Sequence, residues 1–315
     1  MYRNNTESRH RNNIELCIVI KKRNFMLDLS HLITEQQLPE TKNMDQWSIP
    51  EILMAMNKED QKVALAVQEQ IPIITKVIET LIQKFKKGGK LYLCGAGTSG
   101  RLAIMEAAEC PPTFSTPPEL IQGIMAGAPE SVFHAVEGAE DNREKGIEAA
   151  KEKHICENDM AIGISASGRT PYVLGFLEYA KQKNAITVFL CASTPKENFM
   201  DFLIQPQTGS EILTGSTRLK AATAAKMTLN MITTTSMIAL GKVYGNWMVD
   251  LKPNSEKLIV RATNIISQIT GCSKETAHQL LLEANNAKVA IIMYQKQCSK
   301  EQALQYMQEK SFLNI

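Results

Sequence analysis

The chain has 315 residues, of which 44% are hydrophobic and 22% are charged, and its formal net charge is +2. This length allows one large or two modest domains with a buried core, and the small net charge gives no reason to expect a nucleic-acid partner. The apolar runs are interrupted before they reach the length needed to span a bilayer, so we expect no membrane segment.

The cysteines and histidines indicate a reduced, metal-free protein. The seven cysteines are widely spaced, include no Cys-x-x-Cys pair and fall partly in apolar runs, and the five histidines are scattered. Such cysteines are typical of buried thiols in the cytoplasm, and such histidines do not have the spacing of metal ligands. We therefore expect a cytoplasmic protein without a metal site.

The first 25 residues are treated as a separate segment. Basic residues surround a short apolar stretch at 17–20 that is too short for a signal-peptide core, and no small-residue cleavage site follows it. A transit peptide is one interpretation. The interpretation that we favour is a disordered extension, or a start codon placed too early, with Met26 opening the protein.

Residues 44–87 are predicted to be helical. Ser48 is followed three residues later by Glu51, the pattern of a capping box, and apolar residues at helical spacing continue to Leu81. Gly88 and Gly89 end this segment.

The segment from Lys90 to Gln205 alternates between strands and helices. Four apolar strands are predicted at 91–94, 160–164, 186–190 and 202–204, with helices around 101–108, 141–153 and 171–183. This alternation predicts an α/β fold with a doubly wound, mostly parallel sheet flanked by helices. In such sheets ligands bind beyond the carboxyl ends of the strands.

The rest of the chain is predicted to be helical. Residues 219–245 form a long helix with little charge, which we expect to be buried or at a subunit interface, and residues 254–270 form an amphipathic helix. Three short helices follow Gly271, the last opened by the capping-box pattern at Ser299. We divide the chain at 1–25, 26–270 and 271–315, the last a small helical module near the lower size limit for independent folding.

A glycine-rich loop after the first strand is the leading candidate for a binding site. Residues 95–100 match Gly-x-Gly-x-x-Gly, the pattern of a dinucleotide fold. However, Pro111 and Pro112 are expected to end the next helix near Cys110, and no strand ending in Asp or Glu follows to hold a ribose. The backbone at Gly97 and the hydroxyls of Thr98 and Ser99 instead suit a phosphate monoester at a helix N-terminus, although Ser99 could be a plain N-cap.

Two more polar clusters open helices at neighbouring positions. The first cluster contains three hydroxyls and an arginine, at Ser165, Ser167, Arg169 and Thr170. The second cluster contains two hydroxyls and a lysine, at Ser216, Thr217 and Lys220. Each could be helix capping alone. Three such clusters together favour phosphate binding over a dinucleotide.

Glu109 and Glu140 are the conspicuous carboxylates near these loops. By spacing alone they would be interpreted as solvated or capping groups. The sequence around them, however, resembles the N-acetylmuramic acid 6-phosphate etherase family of the sugar-isomerase (SIS) superfamily and, more distantly, glucokinase regulatory protein. The resemblance runs from Leu32 to the C-terminus through the segments 33–36, 95–101, 109–114, 136–141, 166–172, 213–218 and 241–246.

The resemblance implies an activity and roles for the carboxylates. It implies cleavage of the D-lactyl ether of N-acetylmuramic acid 6-phosphate during recycling of cell-wall sugars, with Glu109 as proton donor and Glu140 as the second acid/base. It also implies a homodimer and a C-terminal module similar to a ubiquitin-associated fold. Glu137, three residues from Glu140, is a candidate for holding sugar hydroxyls. No cofactor is expected, because two carboxylates can carry the acid–base chemistry.

The sequence departs from the family pattern at Leu219, Ala222 and Ala128, and none of these departures replaces a carboxylate. Two other functions are weighed against the enzyme. A non-catalytic sugar-phosphate-binding regulatory protein would keep the loops and lose the carboxylates. A nicotinamide-dependent oxidoreductase is disfavoured by the missing ribose carboxylate.

Overall fold

The computed structural model describes residues 32–251, 253 and 255–309. The proposed extension at 1–25 and the proposed start at Met26 lie outside these residues. The described part contains five strands and eleven α-helices. They are β1 (Leu91–Gly95), β2 (Ile121–Met125), β3 (Met160–Ile164), β4 (Ile186–Leu190) and β5 (Phe202–Ile204), with α1 (Ile49–Gln68), α2 (Ile71–Lys86), α3 (Gly97–Phe114), α4 (Glu130–Phe133), α5 (Arg143–Glu152), α6 (Pro171–Gln182), α7 (Lys220–Ala239), α8 (Glu256–Thr270), α9 (Lys274–Ala284), α10 (Ala287–Lys296) and α11 (Lys300–Glu309).

The strands form one parallel sheet in the order β2-β1-β3-β4-β5. One core cluster packs α1, α2, α3 and α7 on one face, and a second packs α5 and α6 on the other. Helices on both faces explain why β1 and β3 are buried at every position, since neither face meets water. The predicted doubly wound α/β fold is confirmed. No described helix has the length and apolar content that crossing a bilayer requires.

Strand β2 was not predicted. It carries Gln122 and Gly123, and these two residues are half-exposed because β2 lies at the edge of the sheet. A Cβ at Gly123 would come 2.6 Å from the Cα of Ile104, so glycine allows α3 to cross this strand closely. The strand ends at Met125 without a carboxylate, and the argument against a ribose site is unchanged.

Several predicted helix limits were wrong. The helix after the glycine loop does not end at Cys110 but continues through Pro111 and Pro112 to Phe114. Both prolines lie in its last turn, where the carbonyl of Pro111 still accepts a bond from the Ser115 N–H at 2.9 Å, and buried Phe114 holds that turn in the core. The helix predicted at 219–245 ends at Ala239, before Gly241 with φ of 75°.

The segment predicted as helical at 44–87 divides into two α-helices. A short 3₁₀ helix at Met44–Gln46 precedes α1, and the chain bends at Glu69 and Gln70 before Pro72, which lies in the first turn of α2. Proline is tolerated there because the first-turn N–H groups have no helical partner. The carboxylate of Glu51 accepts a bond from the Ser48 N–H at 2.7 Å, and the predicted capping box is confirmed.

The C-terminal helices share a third hydrophobic cluster. This cluster includes residues of α8 together with α9, α10 and Ala303, and it begins at Val249. The proposed boundary at Gly271 therefore runs through the cluster. Asp250 connects the cluster to the sheet domain, since its carboxylate binds Lys242 Nζ at 2.7 Å and Asn286 Nδ2 at 3.2 Å, and its carbonyl accepts a bond from Ser115 Oγ.

Candidate active site

The glycines of the first loop are required by its geometry. A Cβ at Gly95 would lie 2.6 Å from the backbone N of Gly100, and one at Gly100 would lie 2.5 Å from Cγ of Met125. Gly97 has φ of 54°, a left-handed conformation that glycine adopts without strain. The loop is therefore a tight turn that brings the N-terminus of α3 directly to the end of β1.

The N-terminus of α3 has no side-chain cap. Its N-cap residue is Ala96, and no described side chain bonds to the first turn, so the interpretation of Ser99 as a plain N-cap was wrong. The first helical bond runs from the Gly100 N–H to the Ala96 carbonyl at 3.2 Å. The earlier N–H groups at Gly97, Thr98 and Ser99 have no helical acceptor and, with the helix dipole, favour an anion.

Three polar loops meet at a first cleft beyond the sheet. Ser99, Ala166 and Thr217, one from each of the three loops, line this cleft. Its other walls come from the ends of β3 and β4 and from the first turns of α7. The structure therefore brings the three clusters together as predicted, at the carboxyl ends of the strands.

Within the second loop the hydroxyls mostly bind each other. Ser165 is buried, and its Oγ lies 2.8 Å from Thr170 Oγ1 and 3.4 Å from Ser167 Oγ. Thr170 is the N-cap residue of α6, although its side chain makes no capping bond. The half-exposed residues Ala166, Ser167 and Arg169 form the open rim of this loop.

Lys220 does not contribute to the cleft, and its prediction as a binding residue was wrong. The residue is 1% exposed, and its Nζ lies 2.6 Å from Oε2 of buried Glu59. The carboxylate of Glu211 accepts bonds from the N–H groups of Lys220 and Ala221, both at 3.0 Å. An internal carboxylate thus occupies the N-terminus of α7, and the half-exposed residues Ser216 and Thr217 are the part of this cluster that is accessible.

The pKa shifts of Glu59 and Glu211 follow from the contacts of these two carboxylates. Burial alone would raise the pKa of Glu59, but hydrogen bonds from Lys220 and Lys62 outweigh burial, so the pKa is lowered. Burial raises the pKa of Glu211 more than the two backbone N–H groups lower it. Lys220 and Glu59 therefore form an ion pair that holds α1 against α7 beneath the first cleft.

A second cleft lies on the other side of the first turn of α3. Gly97, Arg101, Glu137 and Glu140 line a space of about 640 Å³. Glu140 lies in the 3₁₀ helix Ala139–Asp141, and both glutamates are exposed. Gly97 borders this cleft and Ser99 borders the first, so a ligand bound at the turn can extend from one cleft into the other.

Two residues of the second cleft were missed by sequence reasoning. Arg101 donates from Nε to the Val132 carbonyl at 2.9 Å and from Nη2 to the Ser131 carbonyl at 2.7 Å, so it ties α3 to the segment that leads to Glu140. The hydroxyl of Ser131 is buried in the wall of the cleft and has no partner among the described residues. Nothing in the local sequence marks either contact, because both join segments about 30 residues apart in the chain.

Glu109 lies far from both clefts. It is an exposed residue near the C-terminal end of α3, 12 positions beyond Gly97, which at 1.5 Å per residue is about 18 Å along the helix. The exposed residues Met105, Ala108 and Pro112 share its face of the helix. Within one chain the structure does not bring Glu109 and Glu140 together.

Comparisons with known proteins agree with this architecture. Residues 73–181 match the N-terminal SIS domain of glucokinase regulatory protein, and residues 245–288 match the C-terminal lid domain of that protein. The chain is 46% identical to N-acetylmuramic acid 6-phosphate etherase of Histophilus somni, over 90% of this chain and 95% of that protein. It is 49% identical to the etherase of Lactococcus lactis, over 84% and 91% respectively.

A comparison of structures finds phosphoheptose isomerase from Neisseria gonorrhoeae, at 14% identity and a TM-score of 0.47, covering 60% of this chain and 98% of that one. The matched residues 73–181 include β1, β2, β3 and the residues that line the second cleft, and the matched residues 245–288 include α8 and α9.

Proposed function

The chain belongs to the N-acetylmuramic acid 6-phosphate etherase family, and from this premise we propose that it cleaves the D-lactyl ether of N-acetylmuramic acid 6-phosphate. The products are N-acetylglucosamine 6-phosphate and D-lactate, in the recycling of cell-wall sugars. The observation that carries the proposal is the uncapped N-terminus of α3, which stands between a hydroxyl-lined cleft and a carboxylate-lined cleft.

The first cleft suits the 6-phosphate. Ser99 and Thr217 line this cleft, Ser99 lies in the uncapped first turn of α3, and hydrogen-bond donors at a helix N-terminus favour a phosphate. Ser167 and Arg169, on the rim of the second loop, complete the binding set, as does Ser216. Fixing the phosphate leaves the sugar to extend past Gly97 toward Glu137 and Glu140.

The second cleft suits the reacting carbons. Ring opening exposes an aldehyde at C1, which acidifies the proton on C2, and Glu140 removes that proton as the general base. The electron pair forms a C2=C3 double bond as the C3–O bond breaks, and Glu109 gives a proton to the departing lactate oxygen. Water then adds its hydroxyl at C3 and a proton at C2. Glu137 binds sugar hydroxyls at the cleft wall.

The position of Glu109 on α3 supports a site that is shared between two subunits. Glu109 lies about 18 Å along α3 from Gly97, which borders the second cleft, whereas C2 and C3 are bonded to each other and both reacting groups must reach them. We therefore propose a homodimer in which Glu109 of one subunit reaches the second cleft of the other. The apolar face around Glu109, with Met105 40% exposed, supports burial of this face against a partner.

The proposed reaction needs no redox cofactor, because elimination followed by hydration leaves the net oxidation state of the substrate unchanged. A phosphorylated sugar and reduced thiols are both typical of the cytoplasm, where we propose that the protein acts. The binding of a sugar phosphate without turnover is the second candidate, favoured by the match to domains of glucokinase regulatory protein.

One assay separates these functions. The purified chain is incubated with N-acetylmuramic acid 6-phosphate without added cofactor, and D-lactate is measured together with binding of the sugar phosphate. The enzyme releases lactate. Binding without lactate release would support the regulatory function instead, and lactate release that depends on added nicotinamide would support an oxidoreductase.

A further inference from the structure

Three uncharged residues of the second cleft have no role in the function proposed above. Ser131, Val136 and Ala139 line this cleft together with Glu140. A Cβ built on Gly127 would lie 3.0 Å from Cβ of Ala139 and 3.4 Å from Cβ of Ser131. The same atom would lie 3.5 Å from Cβ of Val136. The three side chains therefore surround one point beside Gly127, and we call them the Gly127 patch.

The Gly127 patch combines apolar surface with a hydroxyl that lacks a hydrogen-bond partner. Val136 is 37% exposed and Ala139 is half-buried, so both present methyl groups at the cleft. Ser131 is 3% exposed, and its Oγ bonds to no atom of the described residues. A buried hydroxyl without a partner is unfavourable, and a ligand oxygen that accepts its hydrogen bond removes that penalty. The patch is therefore suited to a ligand group that places a methyl next to a carbonyl oxygen.

The patch lies next to the carboxylate that is proposed to act on C2. Ala139 directly precedes Glu140 in the 3₁₀ helix Ala139–Asp141, and Glu140 is the proposed base for the C2 proton. C2 of the substrate carries the acetamido group, so this group is bonded to the carbon that faces Glu140. The lactyl oxygen is on C3, and in the proposed dimer its proton comes from the partner's Glu109. The acetamido group is therefore the substituent expected at the patch.

We propose that the Gly127 patch is the subsite for the acetamido group of the sugar. The acetyl methyl contacts Val136 and Ala139 and leaves water there, and the acetyl oxygen accepts a hydrogen bond from Ser131 Oγ. An acetamido group is neutral, so these contacts do not use the positive charge that Arg101 keeps in the same cleft. The patch thus selects sugar phosphates that carry an acetamido group at C2 over those that carry a hydroxyl.

This inference rests on the proposed function, and its first test measures binding alone. Isothermal titration compares N-acetylglucosamine 6-phosphate with glucose 6-phosphate, which has a hydroxyl at C2. Wild type is expected to bind the acetamido sugar at least about tenfold more tightly, the contribution of one hydrogen bond and one buried methyl group. Ser131→Ala/Val136→Ala should lower this ratio at least about fivefold and leave Kd for glucose 6-phosphate within about twofold of wild type.

The control variant is Ser236→Ala/Val260→Ala. Ser236 is a buried serine whose hydroxyl also has no partner among the described residues, and Val260 is 55% exposed. Neither residue lines either cleft, so this variant should keep the wild-type ratio. Ser131→Ala removes a hydroxyl without leaving a described group unpaired, and the patch variant is therefore expected to fold like wild type.

The other outcomes each have a defined meaning. An equal loss of affinity for both sugars would place the patch against the phosphate or the ring, which the sugars share, and would overturn the inference. Unchanged affinities in the patch variant, or a wild type without preference for the acetamido sugar, would overturn it as well. Absence of lactate release together with the expected ratios would instead remove the etherase function and keep the subsite.

A second comparison separates the acetamido group from the lactyl group. The patch variant should raise KM for N-acetylmuramic acid 6-phosphate by the same factor as Kd for N-acetylglucosamine 6-phosphate, to within about twofold, because both sugars carry the acetamido group. A rise in KM alone would mean that the patch holds the lactyl methyl group, which only the first sugar carries, and would overturn the inference.

Discussion

Nη2 of Arg101 lies 2.7 Å from the carbonyl oxygen of Ser131, and this bond joins α3 to the segment that carries Glu140. A second bond from Nε of Arg101 to the Val132 carbonyl, at 2.9 Å, fixes the plane of the guanidinium. Nε and Nη2 of Arg101 are thus directed at backbone carbonyls, and we propose that Arg101 is a positioning residue. The side chain of Arg101 thus fixes the position of one cleft relative to the other.

Replacing Arg101 is expected to reduce turnover more than phosphate binding. Arg101→Ala removes both bonds and frees the segment around Glu140, so we expect kcat to fall about 10- to 100-fold, as for loss of positioning of a catalytic group. The Ki of N-acetylglucosamine 6-phosphate should change by less than about threefold, below 1 kcal/mol. Steady-state kinetics with D-lactate detection measure both quantities.

Arg101→Lys is the matched control for that prediction. Lysine keeps the positive charge but lacks the planar fork that binds two carbonyls at once. A low kcat in both variants supports positioning by Arg101. Full activity in Arg101→Lys would show that charge alone is needed, and the positioning role would be withdrawn.

The two carboxylates are expected to act across a subunit interface. Glu109→Ala and Glu140→Ala should each reduce turnover by at least about a hundredfold, the contribution typical of a general acid or base, while sugar-phosphate binding is kept. Mixing the two inactive variants should restore activity, because half of the sites in a mixed dimer combine an intact Glu109 with an intact Glu140. The measurement is lactate release after unfolding and refolding the two variants together.

Glu119→Ala, at another exposed glutamate, provides the control and should behave as wild type. If mixing restores nothing while mixed dimers are demonstrably present, the two carboxylates belong to the same chain's site. Full turnover by Glu109→Ala alone would show that Glu109 has no role in the reaction.

Ser99 is expected to recognise the phosphate. Ser99→Ala removes a hydroxyl from the first cleft but leaves the N–H groups of α3 in place, so binding of N-acetylglucosamine 6-phosphate should weaken about 10- to 100-fold, the contribution of a hydrogen bond to a charged group. Binding of unphosphorylated N-acetylglucosamine should not change. Isothermal titration with the two sugars checks this, and an equal effect on both would leave Ser99 with a purely structural role.

The Lys220–Glu59 pair is expected to stabilise the fold without contacting substrate. Lys220→Ala leaves the carboxylate of Glu59 without its buried partner, and breaking a buried pair costs about 3–5 kcal/mol of the free energy of unfolding. The other partner of Glu59 is Lys62, and the side chain of Lys62 is 55% exposed. Lys62→Ala should therefore cost less than about 1 kcal/mol. Urea unfolding at pH 7 measures both free energies.

The same pair predicts a dependence of stability on pH. The pKa of Glu59 is lowered in the folded protein, so its contribution to stability is present above the unfolded pKa and is lost as pH falls through the folded pKa. Wild type should therefore lose stability as the pH falls below 4.5, the usual pKa of a glutamate side chain. Glu59→Gln has no group to titrate and should show a shallower loss over the same range; an equal slope in both proteins would contradict the assignment.

Features that depend on a few consecutive residues could be predicted from the sequence. Four of the five strands, the capping boxes at Ser48 and Ser299 and the three C-terminal helices follow from periodicity and capping patterns, which act between neighbouring residues. The glycine loop belongs to this group, because its turn, the left-handed φ of Gly97 and the uncapped start of α3 are local. The parallel order of the strands then places the three polar loops at one edge of the sheet, as the structure confirms.

Relations between distant segments were decided only by the tertiary structure. Lys220 follows two hydroxyl residues and looks like an anion-binding cation, but α1 brings Glu59 to its side chain from 161 positions away. Arg101 reaches the Glu140 segment across about 30 residues. Strand β2 is weakly apolar because only one of its edges is paired, and Pro111 and Pro112 remain helical because Phe114 is buried. Burial and pairing of this kind depend on which elements meet, and no local pattern encodes that choice.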